Sequence, residues 1–73
     1  MKTRYKHIHF EEGGGPKADH PLYHCKNNRT ASILGVVFYF KPWKKYVFEG
    51  RTGCVFDVSC LTDIIDFMNQ LGA

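Results

Sequence analysis

From Val58 to Leu71 the apolar residues recur at helical spacing, and everything before them reads as short strands and turns. Val58, Leu61, Ile64, Ile65, Met68 and Leu71 form one stripe, and Phe67 widens it. Asp63, Asp66, Asn69 and Gln70 occupy the other side. A single amphipathic helix has to bury its stripe against something, and no second helix is on offer, so it must lie on a sheet. The expected architecture is therefore α+β: a small antiparallel sheet of three to five strands packed against one C-terminal helix. Asp57 and Ser59 both suit the N-cap, whose side-chain oxygen accepts an unpaired backbone N–H. Gly72 supplies the C-terminal stop.

Size limits what such a sheet and helix can do. With 73 residues there is room for a single domain, 1–73. It divides into an N-terminal strand and Gly-rich loop (1–21), antiparallel strands (22–56) and the helix (58–71). A domain this short buries only about 60% of the surface its unfolded chain exposes, so its core is thin. Multi-domain enzymes, doubly wound nucleotide-binding folds and barrels are excluded. At 44% hydrophobic and 15% aromatic, the composition is also too apolar for a disordered tail.

Residues 3–11 alternate loosely, with Tyr5, His7 and His9 on one side and Lys6, Ile8 and Phe10 on the other, as a half-covered strand would. Residues 13–21, opening on three glycines and Pro16, read as a flexible loop. Neither phosphate-cradling glycine motif can be written over it. Residues 22–26 form a second strand and 27–30 a turn favoured by paired asparagines. Residues 32–40, rich in β-branched and aromatic side chains, make the strongest strand. Residues 41–44 turn the chain back, 45–49 complete a hairpin, 50–53 close it, and 54–56 read as a last short strand.

The cysteines, Cys25, Cys54 and Cys60, are odd in number and form no C-x-x-C pair, which suits reduced thiols in a cytoplasmic protein. No apolar run approaches the ~20 residues that span a bilayer, so no membrane partner is expected. The opening residues lack the apolar stretch of a secretion signal. Zinc could in principle draw on His7, His9, His20, His24 and Cys25, since two histidines two apart on a strand point the same way. Without a cysteine pair the spacing matches no standard finger, and surface histidines are the expectation, with no metal and no cofactor. Cys60 near a helix N-terminus is a candidate for a lowered thiol pKa, against the plainer reading of a small residue packing the first turn. Nothing assembles a nucleophile with its base, so no catalytic residues and no enzyme activity are expected.

Charge and aromaticity carry more. Up to Phe56 all ten Lys and Arg stand against four acids, a balance of +6, whereas from Asp57 onward three acids stand alone, a balance of −3. Such a divided surface can steer a partner. Within residues 39–46, Lys41, Lys44 and Lys45 alternate with Tyr39, Phe40, Trp43 and Tyr46. Cations among aromatic faces can stack single-stranded bases while holding phosphates. The same parts anchor protein interfaces, where Trp and Tyr carry most of the energy. The competing reading folds Trp43 and Tyr46 down on the sheet as core.

Two separated blocks in order resemble a group of small, largely uncharacterised phage- and prophage-encoded proteins. The first is Leu34-Gly35 and a hydrophobic-aromatic strand, followed by Trp43-Lys44-Lys45-Tyr46-Val47-Phe48. The second, after Val55-Phe56, is Cys60-Leu61-Thr62-Asp63-Ile64-Ile65-Asp66-Phe67. The likeness spans about two-thirds of the chain. The N-terminal extension through Gly13-Gly14-Gly15, and Gly50 where proline is common, depart from the pattern. The resemblance implies a phage context in a host-cell cytoplasm and no catalytic residues. Small phage accessory proteins act stoichiometrically on host proteins, for example on defence systems, anti-CRISPR proteins being one class.

The expectation is a non-catalytic binding protein that modulates or inhibits a host protein complex. Its binding residues would be Tyr39, Lys41, Trp43, Lys44, Lys45 and Tyr46, with Arg51 nearby. The acidic helix side, Asp63 and Asp66, offers a second surface. The alternative is a small single-stranded nucleic-acid binder using the same hairpin. An exposed edge strand in so small a sheet also invites a homodimer.

Overall fold

The computed structural model describes residues 1–13 and 20–72. Strands β1 (Ile8–Gly13), β2 (Leu22–Asn27), β3 (Ile33–Phe40) and β4 (Lys45–Gly50) precede one helix, α1 (Val58–Gln70). They form a four-stranded antiparallel sheet in the order β1-β2-β3-β4, so every neighbour in space is a neighbour in sequence. The protein is α+β, as its patterning predicts. Most of the expected loop at 13–21 lies outside the described residues.

Local chemistry sets each connection. Between β2 and β3 the Asn27 side chain accepts from the backbone N–H of Arg29 at 2.8 Å and of Thr30 at 3.2 Å. Ala31 adopts a left-handed φ of 61° as its N–H returns to the Asn27 carbonyl at 2.8 Å. Between β3 and β4 a single 3₁₀ turn, Lys41–Trp43, starts with Pro42 near its N-terminus and ends at Lys44 with φ 53°. The Asp57 carboxylate caps α1, accepting from the Cys60 N–H at 2.8 Å.

One sheet face carries the core. Ile8 and Phe10 of β1, Tyr23 and Cys25 of β2 and Val37 of β3 are buried with Ile64 and Phe67 of α1. Phe67 stacks on Phe10 with ring centroids 4.0 Å apart and meets Tyr23 edge-on at 5.0 Å, so the helix is centred over β1 and β2. Two glycines facing each other across β3 and β4, Gly35 and Gly50, leave room for large rings. A Cβ on Gly35 would lie 2.5 Å from the Phe48 ring, and one on Gly50 3.0 Å from Phe56. The Phe48 and Phe56 rings meet edge-to-face there, 5.4 Å apart.

Three expectations need correction. First, Tyr5 joins the core with Ile8 and Phe10 instead of sharing a face with His7 and His9. The chain bends at Lys6 and His7 before β1 begins, which breaks the alternation. Residues 3–5 fold back along β1, with Tyr5 N–H donating to the Ile8 carbonyl and Phe10 N–H to that of Thr3, both at 2.8 Å. Second, residues 54–56 join no ladder. The chain turns at Gly53, φ 85°, with Cys54 N–H on the Arg51 carbonyl, and leaves the sheet to carry Phe56 over Gly50. Third, the helix is rotated from its sequence stripe: Val58 is 80%, Leu61 44% and Ile65 58% exposed. The contacts of Phe67 outweigh those smaller side chains, and the opposite flank is tied to the N-terminus. The Tyr5 hydroxyl donates to Asp66 at 2.7 Å, and the Gln70 amide exchanges hydrogen bonds with the Lys2 backbone at 2.8 Å each way.

Candidate binding surface at the β3–β4 hairpin

The register of β3 on β4 sorts the hairpin side chains onto two faces. Val37 pairs with Phe48 and Tyr39 with Tyr46, all on the helix side. Because side chains alternate, Val36, Phe38 and Phe40 with Lys45, Val47 and Glu49 lie on the other side, away from α1. Trp43, lifted by the 3₁₀ turn, is 64% exposed and stands edge-on to Phe40 with centroids 5.1 Å apart. Phe40 meets Phe38 edge-on at 6.4 Å. Phe38, Phe40, Trp43, Val47, Phe48 and Glu49 line an open depression of about 360 Å³. Lys41, Lys44 and Lys45 are exposed beside it.

The sequence-predicted residues therefore separate. Lys41, Trp43, Lys44 and Lys45 share the tip of the hairpin. Tyr46 is only 9% exposed, and its hydroxyl donates to the Pro21 carbonyl at 2.8 Å. It belongs to the core edge because its strand position falls on the helix side. Tyr39 lies on the same side, half-buried, stacked on His20 with centroids 3.7 Å apart and edge-on to Tyr46 at 5.7 Å. Arg51 is not near the tip: six residues beyond Lys45, it sits about 20 Å along the strand. There its N–H donates to the Leu34 carbonyl at 2.9 Å, and it lines a separate depression with Val36, Glu49, Gly50 and Thr52. Phe38 and Val47 were missed by reading the lysines and aromatics as a run. Strict period-2 alternation through residues 36–40 and 45–49 would have found them.

The other candidates occupy structural roles. His9 is buried, its ring nitrogens 2.6 Å from Asn28 Oδ1 and 3.1 Å from Glu11. His7 is exposed in the bend, so the two do not form a strand pair. Lys26 and, secondarily, His9 hold the Glu11 carboxyl below its ordinary range. Among the described residues no three His, Cys, Asp or Glu side chains converge as a metal site would. The Cys60 thiol is pushed up, chiefly by burial and then by the Asp57 carboxylate, contrary to the lowered pKa a helix N-terminus would give. On the acidic helix side Asp66 is exposed but already accepts from the Tyr5 hydroxyl at 2.7 Å, and Asp63 is half-buried. Among the described residues no helix is long and apolar enough to cross a membrane. No protein-family model, curated protein or solved structure matches this chain significantly.

Proposed function

We propose that the protein is a non-catalytic binding module of the phage accessory type, which docks on a host protein complex and modulates or inhibits it. The observation that carries this reading is the tip of the β3–β4 hairpin. An indole 64% exposed is held edge-on against Phe40, with Phe38 and Val47 continuing the apolar surface and Lys41, Lys44 and Lys45 at its rim. A preordered aromatic anchor surrounded by polar groups is the anatomy of a protein-binding hot spot. Holding Trp43 against Phe40 also lowers the entropy lost when it is buried by a partner. A role in a host cytoplasm, and action on a defence system in particular, follow from the resemblance to phage-encoded proteins.

The test is a pull-down from bacterial host lysate with the wild-type protein and the Trp43→Ala variant in parallel. A partner retained in stoichiometric amount by the wild type and lost by the variant, with both folded, supports the reading. Equal retention by the two removes the hairpin tip from the site.

A second reading draws on the same tip. Lysines beside exposed aromatic rings are also what a single-stranded nucleic acid needs. Trp43 fluorescence titrated with single-stranded and duplex DNA and RNA at two salt concentrations separates the two. Nucleic-acid binding predicts quenching that weakens steeply with salt. Trp43→Ala would then weaken binding by ~1–3 kcal/mol. No quenching at low salt leaves the protein partner as the reading.

A further inference from the structure

The two edges of the sheet are finished differently. At β1, residues 3–5 fold back and satisfy outward backbone groups of Ile8 and Phe10. At β4, no described backbone group pairs with the outer edge. The Arg51 N–H on the Leu34 carbonyl fixes which residues point inward. In an antiparallel ladder hydrogen-bonded pairs alternate, so Lys45, Val47 and Glu49 point their backbone at β3, and Tyr46, Phe48 and Gly50 point theirs outward. The β3–β4 register runs from Phe40–Lys45 to Gly35–Gly50 without the bulge that interrupts β2 and β3. A regular, unbulged edge is a template for another strand.

We infer that β4 is a self-association edge on which a second copy of this chain pairs antiparallel, β4 to β4, about a two-fold axis at Val47. Charge selects that register. Centred on Val47, it sets Lys45 opposite Glu49 of the second copy and Glu49 opposite its Lys45. Both are exposed, and neither is in an ion pair among the described residues. Shifting the axis to Phe48 would instead set Lys45 against the like-charged Arg51 of the second copy. Shifting it to Tyr46 would set Lys44 against Phe48.

The Val47 register also matches the backbone. Tyr46 and Phe48, which point outward, become the hydrogen-bonded pair across the axis. Val47 and the two Lys–Glu pairs take the closer non-hydrogen-bonded positions, where side chains interact most. The core rings of α1 lie over β1 and β2, away from this edge. A two-fold axis perpendicular to the sheet puts both helices on one side. The two apolar depressions join on the other side into one eight-stranded surface. This assembly does not depend on what the hairpin tip binds.

Sedimentation equilibrium of the full chain, from about 1 to 500 µM, suits a small edge contact. The expected result is a reversible rise from the 8.4 kDa monomer to twice that mass. Lys45→Glu places like charges at both symmetric contacts and weakens dimerisation about tenfold or more. The double reversal K45E/E49K restores the pairs and returns the dimer to near wild-type affinity. Circular dichroism checks that both variants keep the native fold. A wild-type chain monomeric at the top of the range overturns the inference. So does a folded K45E variant that dimerises like the wild type, or a folded double variant that stays as weak as K45E.

Discussion

Replacing Phe67 by alanine, set beside the same change at Ile65, tests which way the helix faces. Phe67 has no exposed surface and fills the space between Phe10 and Tyr23, stacked on the first at 4.0 Å and edge-on to the second at 5.0 Å. Truncating a buried phenylalanine costs about 3–5 kcal/mol, because the transfer energy is lost and a cavity remains. At roughly 0.05–0.15 kcal/mol per residue, the whole chain is stable by about 4–11 kcal/mol, and small domains fall toward the low end. Phe67→Ala is therefore expected to leave the protein barely folded or unfolded. Ile65, two positions earlier, is 58% exposed. Full burial of an isoleucine stabilises by about 1.5–3 kcal/mol, so under half of that is at stake. Alanine's better helix propensity returns a few tenths, so Ile65→Ala should cost about 1 kcal/mol or less. Urea unfolding followed by far-UV circular dichroism reads both, provided the slope with denaturant is unchanged. The apolar stripe in the sequence places both residues in the core and predicts comparable losses. An Ile65→Ala loss of about 2 kcal/mol or more, or a Phe67→Ala loss below about 1 kcal/mol, would refute the observed helix orientation.

Three further expectations follow from particular contacts. Gly35→Ala places a Cβ 2.5 Å from the Phe48 ring and 2.7 Å from the Glu49 carbonyl, so the β3–β4 contact must open. A melting curve should record a loss of about 1–3 kcal/mol, and an unchanged melting temperature would mean the rings yield freely. Tyr46→Phe removes the 2.8 Å hydrogen bond to Pro21 and should cost about 0.5–1.5 kcal/mol in urea titrations without altering the fold. Alkaline pH should weaken the protein in a defined window. Burial first, then the neighbouring Cys60 and Cys54 thiols, push the Cys25 thiol from 9.0 up to about 12. Burial and the Asp66 hydrogen bond raise the Tyr5 phenol well above its ordinary 10.0. Both groups ionise in the unfolded chain before they ionise in the folded one. Their contribution is intact below pH 9 and declines as pH climbs from 9 toward 12. Thermal melts flat across that range would show that these side chains are not held as described.

Strand periodicity, turn asparagines, the proline at the hairpin and the cap at Asp57 were all legible in the sequence, because each acts within a few residues of itself. They are enough to point to a small antiparallel sheet followed by one helix. The hairpin tip was legible for the same reason: Lys41, Trp43, Lys44 and Lys45 sit within five consecutive positions, and a tight turn keeps them together. Arg51 belongs to the same hairpin but rides its extended strand to the far end, so closeness in sequence did not bring it near. Tyr46 and Trp43 look alike in a run of aromatics, yet strand phase turns Tyr46 onto the helix-side face of the sheet, against Tyr39 and Pro21, and the 3₁₀ turn lifts Trp43 out.

The tertiary structure alone decided the rotation of α1. Helical spacing marks a stripe but does not say which part of it the sheet will cover. That was settled by the largest side chain, Phe67, finding Phe10 and Tyr23, and by Tyr5 and Gln70 tying the far flank to the N-terminus. These partners lie 44 or more residues apart in the chain. Contacts at such separations form only when the sheet has brought the segments together, so no local pattern records them.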